Sequence, residues 1–377
     1  MWAMILALGL LVGAGVSAAP AWKPFVEPYR QVFPSLEIAI ATIEDAPGEA
    51  NAAVIGDQDG LIGVELTGAK PGAAFELVVR IPGLARDSRL SGKIPTIAGP
   101  VALIPRLSWD YATLAAVRQP RPAVIEFELS VDGQRLGTRT ERVRVRSVND
   151  ALYFIDEDDD AQDLDFNWLF AAYVNEDHPA VDSILKEALA TDVVDGFTGY
   201  QSRDPDEVLK QVFAIWHVLQ RRGIRYSSIT RTGSAHRRVL SQHVRFIDES
   251  LSMSQANCVD GSVLMASVLR KIDLDPSLIL TPGHMLLGFA LDAQGRERAY
   301  LETTLIGQVR GHGLGQQARD KQAVDVDASF DSFTAAMVEG QRQVDAAAVA
   351  FANGGDAQHQ IIDIKAAREL GVMPIGR

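Results

Sequence analysis

The chain has 377 residues, 47% of them hydrophobic and 23% charged, with a formal net charge of −13 and one cysteine. That length admits two domains or three. The acidic balance argues against a non-specific nucleic-acid or anionic-membrane surface, which needs a basic face. A single thiol excludes an intramolecular disulfide and the paired-cysteine zinc and redox patterns.

The opening stretch MWAMILALGLLVGAGVSAAPAW reads as an export signal over residues 1–19. Met4 to Val16 carries no charge, and Val16-Ser17-Ala18 or Ser17-Ala18-Ala19 supplies the small residues of a cleavage site. The run is short against the about 20 apolar residues of a membrane span. Its leading residues carry no Lys or Arg, so an uncleaved membrane anchor is the alternative. The expected location is periplasmic or secreted, or anchored to the inner membrane if the segment stays.

Residues 30–150 read as an antiparallel β-sandwich, immunoglobulin-like. LEIAIATI alternates Leu36, Ile38 and Ile40 with Glu37, Ala39 and Ala41, which predicts a strand. LIGVELTG and FELVVRIPG are short apolar runs closed by glycine or proline. VIEFELSVDGQRLG alternates around Asp132-Gly133, a hairpin signal because that turn needs positive φ. RVRVRSV then puts arginine outward and valine inward. No chemistry stands out in this half, and a spacer or substrate-presenting role suits it.

Residues 151–165 read as an acidic linker, with seven acidic residues between Asp156 and Asp165. A calcium loop would need a fixed ligand spacing with glycine at its sharp turn, and this stretch has neither.

Residues 166–377 are dominated by helical patterns with interspersed strands. VDSILKEALA is one helix. DPDEVLKQVFAIWHVLQRRG is the best marked. Asp204 can cap it, Pro205 suits its first position, Glu207 can close a capping box, and Gly223 ends it. IRYSSIT looks extended. A helix runs from Cys258 to about Lys271, SLILT reads as a strand, and PGHMLLGFALDAQGRERAYLETTLIG reads as a hairpin turning near Ala293 to Gly295. A last helix covers about Phe330 to Phe351.

A lone cysteine beside Val259, Val263 and Leu264 is ordinarily a core residue. Three features set Cys258 apart. It stands at a helix start, after the cap candidate Asn257 and before Asp260, which can bond the cap amides. Exposed amides and the positive dipole end favour thiolate there. Next, His284 follows Pro282-Gly283 and opens a strand, and histidine is the usual base for a thiol near neutral pH. Of the seven histidines, His217 lies within a helix, His236 and His243 in a polar stretch, and His312 among glycines. Last, a hairpin turning at Gln294 sets His284 opposite Thr304, with Glu302 its diagonal neighbour on the same face, about 7–8 Å away at the backbone. A one-residue slip would move Glu302 to the other face. Glu302 could then orient the imidazole and stabilise its charged form.

A helix-start cysteine, a strand-start histidine and a carboxylate followed by threonine, in that order, resemble the transglutaminase-like superfamily. The stretch NCVDGSVLMASVLRKIDLDPSLILTPGHMLLGFAL with the later LETT is similar to its compact bacterial members, and the likeness covers about Asp204 to Gly307. It implies a papain-like α+β domain with a Cys-His-Asp triad, carried here onto Cys258, His284 and Glu302. Glutamate stands where aspartate is commoner, one methylene longer. No tryptophan precedes the cysteine helix to complete an oxyanion hole, and Gln255 is the side-chain donor candidate beside the Cys258 amide. The reaction implied is acyl transfer at an amide or peptide bond through a thioester. Water as acceptor gives hydrolysis and an amine gives crosslinking. No metal or organic cofactor is implied. The expected partner is a protein or peptide substrate, envelope-associated, with no nucleic acid, and with a membrane only if the N-terminal segment is uncleaved. A non-catalytic envelope binding or scaffold module is the alternative, since the fold does not fix the reaction.

Overall fold

The turn at Asp132-Gly133 forms as the sequence predicts. Both residues have positive φ, 49° and 74°, and they close a two-residue loop between β10 (Arg121–Val131) and β11 (Gln134–Val145). The structure is a computed structural model that describes residues 20–43, 51–156, 163–228, 237–308 and 324–376. Residues 1–19, residues 157–162, His236 and His312 lie outside the described residues, so the expected export signal and the core of the acidic run do too. The chain is α+β and divides into two compact units, Met1–Leu164 with Ser234–Leu240, and Asp165–Gly233 with Ser241–Arg377.

Two larger sheets form the core of the first unit. One has four strands in the order β1 (Ala21–Val26), β4 (Ile62–Thr67), β8 (Val101–Ile104), β3 (Val54–Gly56). The other has five, in the order β2 (Gln31–Val32), β11, β10, β5 (Ala74–Arg80), β7 (Ser88–Lys93). A short ladder joins β6 (Ala85–Arg86) to β9 (Ser108–Trp109). Alternate residues of both sheets feed one apolar cluster: Val64, Leu66 and Leu103 from the first, Leu77, Val79, Phe127 and Val145 from the second. That is the period-2 pattern of strands buried on one face.

Three expectations for this half need correction. LEIAIATI is not a strand: α1 (Pro34–Ala39) takes its first four residues, with Pro34 in the first turn and Pro34, Ser35, Leu36 and Ala39 buried. Proline suits the first helical turn, where its missing N–H has no intrahelical partner. A second short helix, α2 (Tyr111–Ala115), is capped by the Asp110 side chain on Thr113 N. The linker assigned to 151–165 begins with a strand, β12 (Asp150–Ile155), whose residues are largely buried. Residues 237–240 fall with this unit rather than with the domain assigned to 166–377, and the Asp156 amide donates 2.8 Å to the Arg238 carbonyl.

The second unit builds helices around a small sheet. α3 (Pro179–Leu189) precedes α4 (Pro205–Arg221), whose bounds follow the sequence signals. Asp204 caps it by accepting from Asp206 N, but no capping box forms, because Glu207 pairs with Lys210 on its exposed face. β13 (Arg225–Tyr226) pairs in parallel with β14 (Gln255–Ala256). Between them lies α5 (Ile247–Met253), and after them α6 (Cys258–Lys271). Four strands follow in the order β17 (Arg298–Leu301), β16 (His284–Ala290), β15 (Pro276–Thr281), β18 (Gln360–Asp363). α7 (Val326–Ala352) is the longest helix, 27 residues, and α8 (Ile364–Glu369) ends the unit. Among the described residues, no helix is long and apolar enough to cross a membrane.

Candidate active site

Cys258 is the first residue of α6. The chain enters the helix extended at Asn257, and the two ends of the first turn cap each other. Asn257 Oδ1 accepts from Asp260 N at 2.8 Å, and Asp260 Oδ2 accepts from Asn257 N at 3.0 Å. Asp260 is buried and also accepts from Arg245, 2.8 Å to its amide and 2.6 Å to its Nη1. Burial outweighs these bonds and raises the carboxyl above its ordinary value. The reciprocal cap leaves Cys258 at the tip, half-buried, instead of inside the apolar stripe of Val263, Leu264 and Val268.

His284 opens β16 after a two-residue turn, with Thr281 its cross-strand partner. Gly283 sits at φ +68°, a left-handed position that glycine adopts without steric cost. The β16–β17 ladder pairs Leu287 with Leu301 and Ala290 with Arg298. Continued by three residues, this register sets His284 opposite Thr304, as the turn position predicts. The strand does not continue, however. β17 ends at Leu301, and Glu302 caps a 3-10 turn over Thr303–Leu305. The carboxylate therefore reaches the ring from a turn and not as a diagonal ladder neighbour.

The result brings the three side chains together. Glu302 Oε2 accepts from His284 Nε2 at 2.6 Å, and the Cys258 thiol lies near enough to act on the charge of the ring. His284 is pushed up to about 10, by the bond to Cys258 first and by Glu302 second, with burial opposing. Burial would raise Glu302, but the bonds from His284 and Thr304 outweigh it and hold the carboxylate below its usual value. Glu302 is 2% exposed, and its Oε1 accepts from Thr304 N at 2.9 Å and Thr304 Oγ1 at 2.6 Å.

The two threonines of LETT thus divide their work. Thr304 holds the carboxylate. Thr303 docks the turn onto the cysteine helix, its Oγ1 3.2 Å from Ser262 Oγ and 3.4 Å from the Cys258 carbonyl. Gly261 permits that approach, since a Cβ there would lie 2.9 Å from Thr303 Oγ1. The third candidate position, Gln255, lies half-buried on β14, three residues before Cys258, paired with Arg225.

A cleft of about 690 Å³ opens beside the ring, lined by Pro282, His284, Glu302 and Thr304 and walled by Ala335, Glu339 and Gln343 of α7. Sequence reasoning missed Arg245, Thr303 as a docking group, and Gln343. Arg245 and Gln343 lie 15 and 41 residues from their carboxylate partners, so no local pattern marks them. His217 is set apart from the series: it is buried in α4, with Nδ1 2.8 Å from Ser329 Oγ. Among the described residues, no group of three or more His, Cys, Asp or Glu could hold a metal ion. No known family model matches this chain, and a comparison with curated proteins gives no match.

Proposed function

We propose that this protein is an exported transglutaminase-like cysteine enzyme acting on an amide or peptide bond. The observation that carries the reading is the His284–Glu302 pair at 2.6 Å, set beside a cysteine at a helix start whose thiol acts on the charge of the ring. A nucleophile beside a base that a third group orients is what acyl transfer through a thioester requires. We further read the first unit as an immunoglobulin-like β-sandwich and the second as a papain-like domain. The two sheets sharing one core support the former. The order of helix-start Cys258, strand-start His284 and Glu302 supports the latter.

In this mechanism Cys258 Sγ attacks the substrate carbonyl carbon while His284 holds the thiol proton. The carbonyl oxygen becomes an oxyanion, held by the Cys258 amide, which as a first-turn N–H has no intrahelical partner, and by Gln255. The C–N bond breaks, the amine leaves with the proton from His284, and a thioester remains. Water attacks the thioester, His284 takes its proton, and the acid departs as Sγ is freed. An amine in place of water gives crosslinking. Glu302 holds the ring throughout and offsets its charge. The substrate is a protein or peptide, and the site of action is the periplasm or the cell exterior.

The test is single-turnover acylation by an activated ester or amide probe, followed by mass of the intact protein. One acyl group on Cys258, absent in Cys258→Ala, supports the reading. A wild-type protein that stays unacylated at pH 7 leaves a binding module as the function.

A further inference from the structure

Glu302 has a fourth donor, and its own hairpin does not supply it. Gln343, on α7, donates through Nε2 to Glu302 Oε2 at 2.7 Å and to Glu339 Oε1 at 2.9 Å. The amide has two protons and both are committed. Glu339 is itself held by Arg342, with Nε 2.8 Å and Nη2 2.5 Å from its two oxygens. Gln343 therefore stands between two carboxylates, and turning its oxygen toward Glu302 would set acceptor against acceptor.

The helix that carries Gln343 is fixed at three points. The Glu302 amide donates to the Ala336 carbonyl at 3.0 Å. Gly340 lies against β17 so closely that a Cβ would be 2.7 Å from the Tyr300 carbonyl carbon and oxygen. Toward its N-terminus, Ser329 and Ser332 bond His217 and Gln220 of α4, each at 2.8 Å.

We propose that Gln343 is a positioning residue for the triad: it fixes the plane of the Glu302 carboxylate, and through it the His284 ring. This rests on the cysteine-enzyme reading above. Oε1 is pinned by Thr304 alone, and Oε2 is shared by His284 and Gln343. Without Gln343 the carboxylate keeps one donor on the catalytic side and can swing about its Thr304 bonds, taking the ring with it.

Two variants separate positioning from packing. Gln343→Met keeps length and removes the donor. Gln343→Glu keeps shape and donates only when protonated, and the neighbouring Glu302 and Glu339 charges raise the pH at which it protonates. Acylation of Cys258 is followed from pH 4.5 to 8, together with the His284 ring N–H proton resonance, which needs no turnover. Gln343→Met acylates about tenfold more slowly at every pH, the size of one lost charge-assisted bond, and its ring proton shifts. Gln343→Glu is equally slow at neutral pH and returns toward the wild-type rate as pH falls. Wild-type rate and resonance in Gln343→Met overturn the proposal, as does a Gln343→Glu rate that tracks Gln343→Met at all pH values. Should Gln343→Met fail to fold, the acid recovery of Gln343→Glu carries the test. If the wild type itself does not acylate, the enzyme reading falls, while the ring-proton shift still decides whether Gln343 positions Glu302.

Discussion

Replacing Glu302 by Gln keeps the side chain's shape and removes one acceptor face. In the wild type four donors converge on the carboxylate: Thr304 N and Oγ1 on one oxygen, His284 and Gln343 on the other. An amide offers an oxygen on one side only. With its nitrogen toward Thr304 it meets a backbone N–H that cannot turn away. With its nitrogen toward His284 it meets the ring N–H and the Gln343 amide. Either way a buried donor goes unpaired, at about 1–3 kcal/mol of stability. The charge-assisted bond to His284 is also lost, about 1.5–3 kcal/mol. Expressed in the transition state, that is about 10- to 150-fold in rate. Glu302→Gln should therefore fold, lose about 1–3 kcal/mol in urea denaturation, and acylate about 10²-fold more slowly in single-turnover stopped flow. Cys258→Ala should form no thioester, and His284→Ala should lose nearly as much, since nucleophile and base act as a unit. Full-rate acylation in Glu302→Gln would refute the reasoning and remove the carboxylate from the mechanism.

Four further outcomes follow from the same geometry. His284 should stay an imidazolium through pH 8 by NMR titration, since its folded value is about 10 against an ordinary 6.5, and Cys258→Ala or Glu302→Gln should each lower its midpoint by removing a stabilising partner. Asp260→Ala removes the carboxylate that pairs with the buried Arg245 guanidinium, 8% exposed at its side chain, so denaturation should register a loss of about 3–5 kcal/mol. Gly340→Ala forces a Cβ into the Tyr300–Leu301 backbone, so thermal melting should fall by the equivalent of about 1–3 kcal/mol, with acylation slowed as Gln343 withdraws. Burial, then the nearby Arg221 charge, lowers His217 below its ordinary 6.5, so the unfolded chain binds the proton first; stability is full above 6.5 and should fall below it, by up to about 1.4 kcal/mol per pH unit, a slope that His217→Gln should abolish.

Local signals made the helices legible. Asp204 with Pro205 bounds α4, and Asn257 with Asp260 fixes the start of α6 at Cys258, because caps act within one turn. The α1 segment was misleading for the opposite reason. Its six residues are too few for a 3.6-residue period to stand out against alternation, and the helical face is marked only by Leu36 and Ala39, three residues apart. The hairpin register was readable from its turn, but the end of β17 was not. Glu302 leaves the strand because its carboxylate caps the next turn, and a capping glutamate looks like any strand glutamate until the fold brings Thr304 under it. Gln343 had no signal at all, since its meaning comes from a helix packed by Gly340 onto a strand about forty residues away.

Cys258, His284 and Glu302 share one property: each stands at the end of an element. Cys258 begins a helix, His284 begins a strand after a two-residue turn, and Glu302 ends a strand and caps a turn. Ends are where side chains leave the layers and where backbone groups lack regular partners. At this site the bonds that satisfy those backbone groups are also the bonds that aim the three side chains. Asp260 bonds the Asn257 amide and so holds the helix tip on which Cys258 sits. Glu302 bonds the Thr304 amide with one oxygen and the imidazole with the other. Stability and alignment are for that reason coupled at Asp260, Thr304 and Glu302. Gln343 differs, because its helix is already complete without it and its amide satisfies only side chains. A substitution there can loosen the triad while sparing the fold, which makes it the position where alignment can be measured apart from stability.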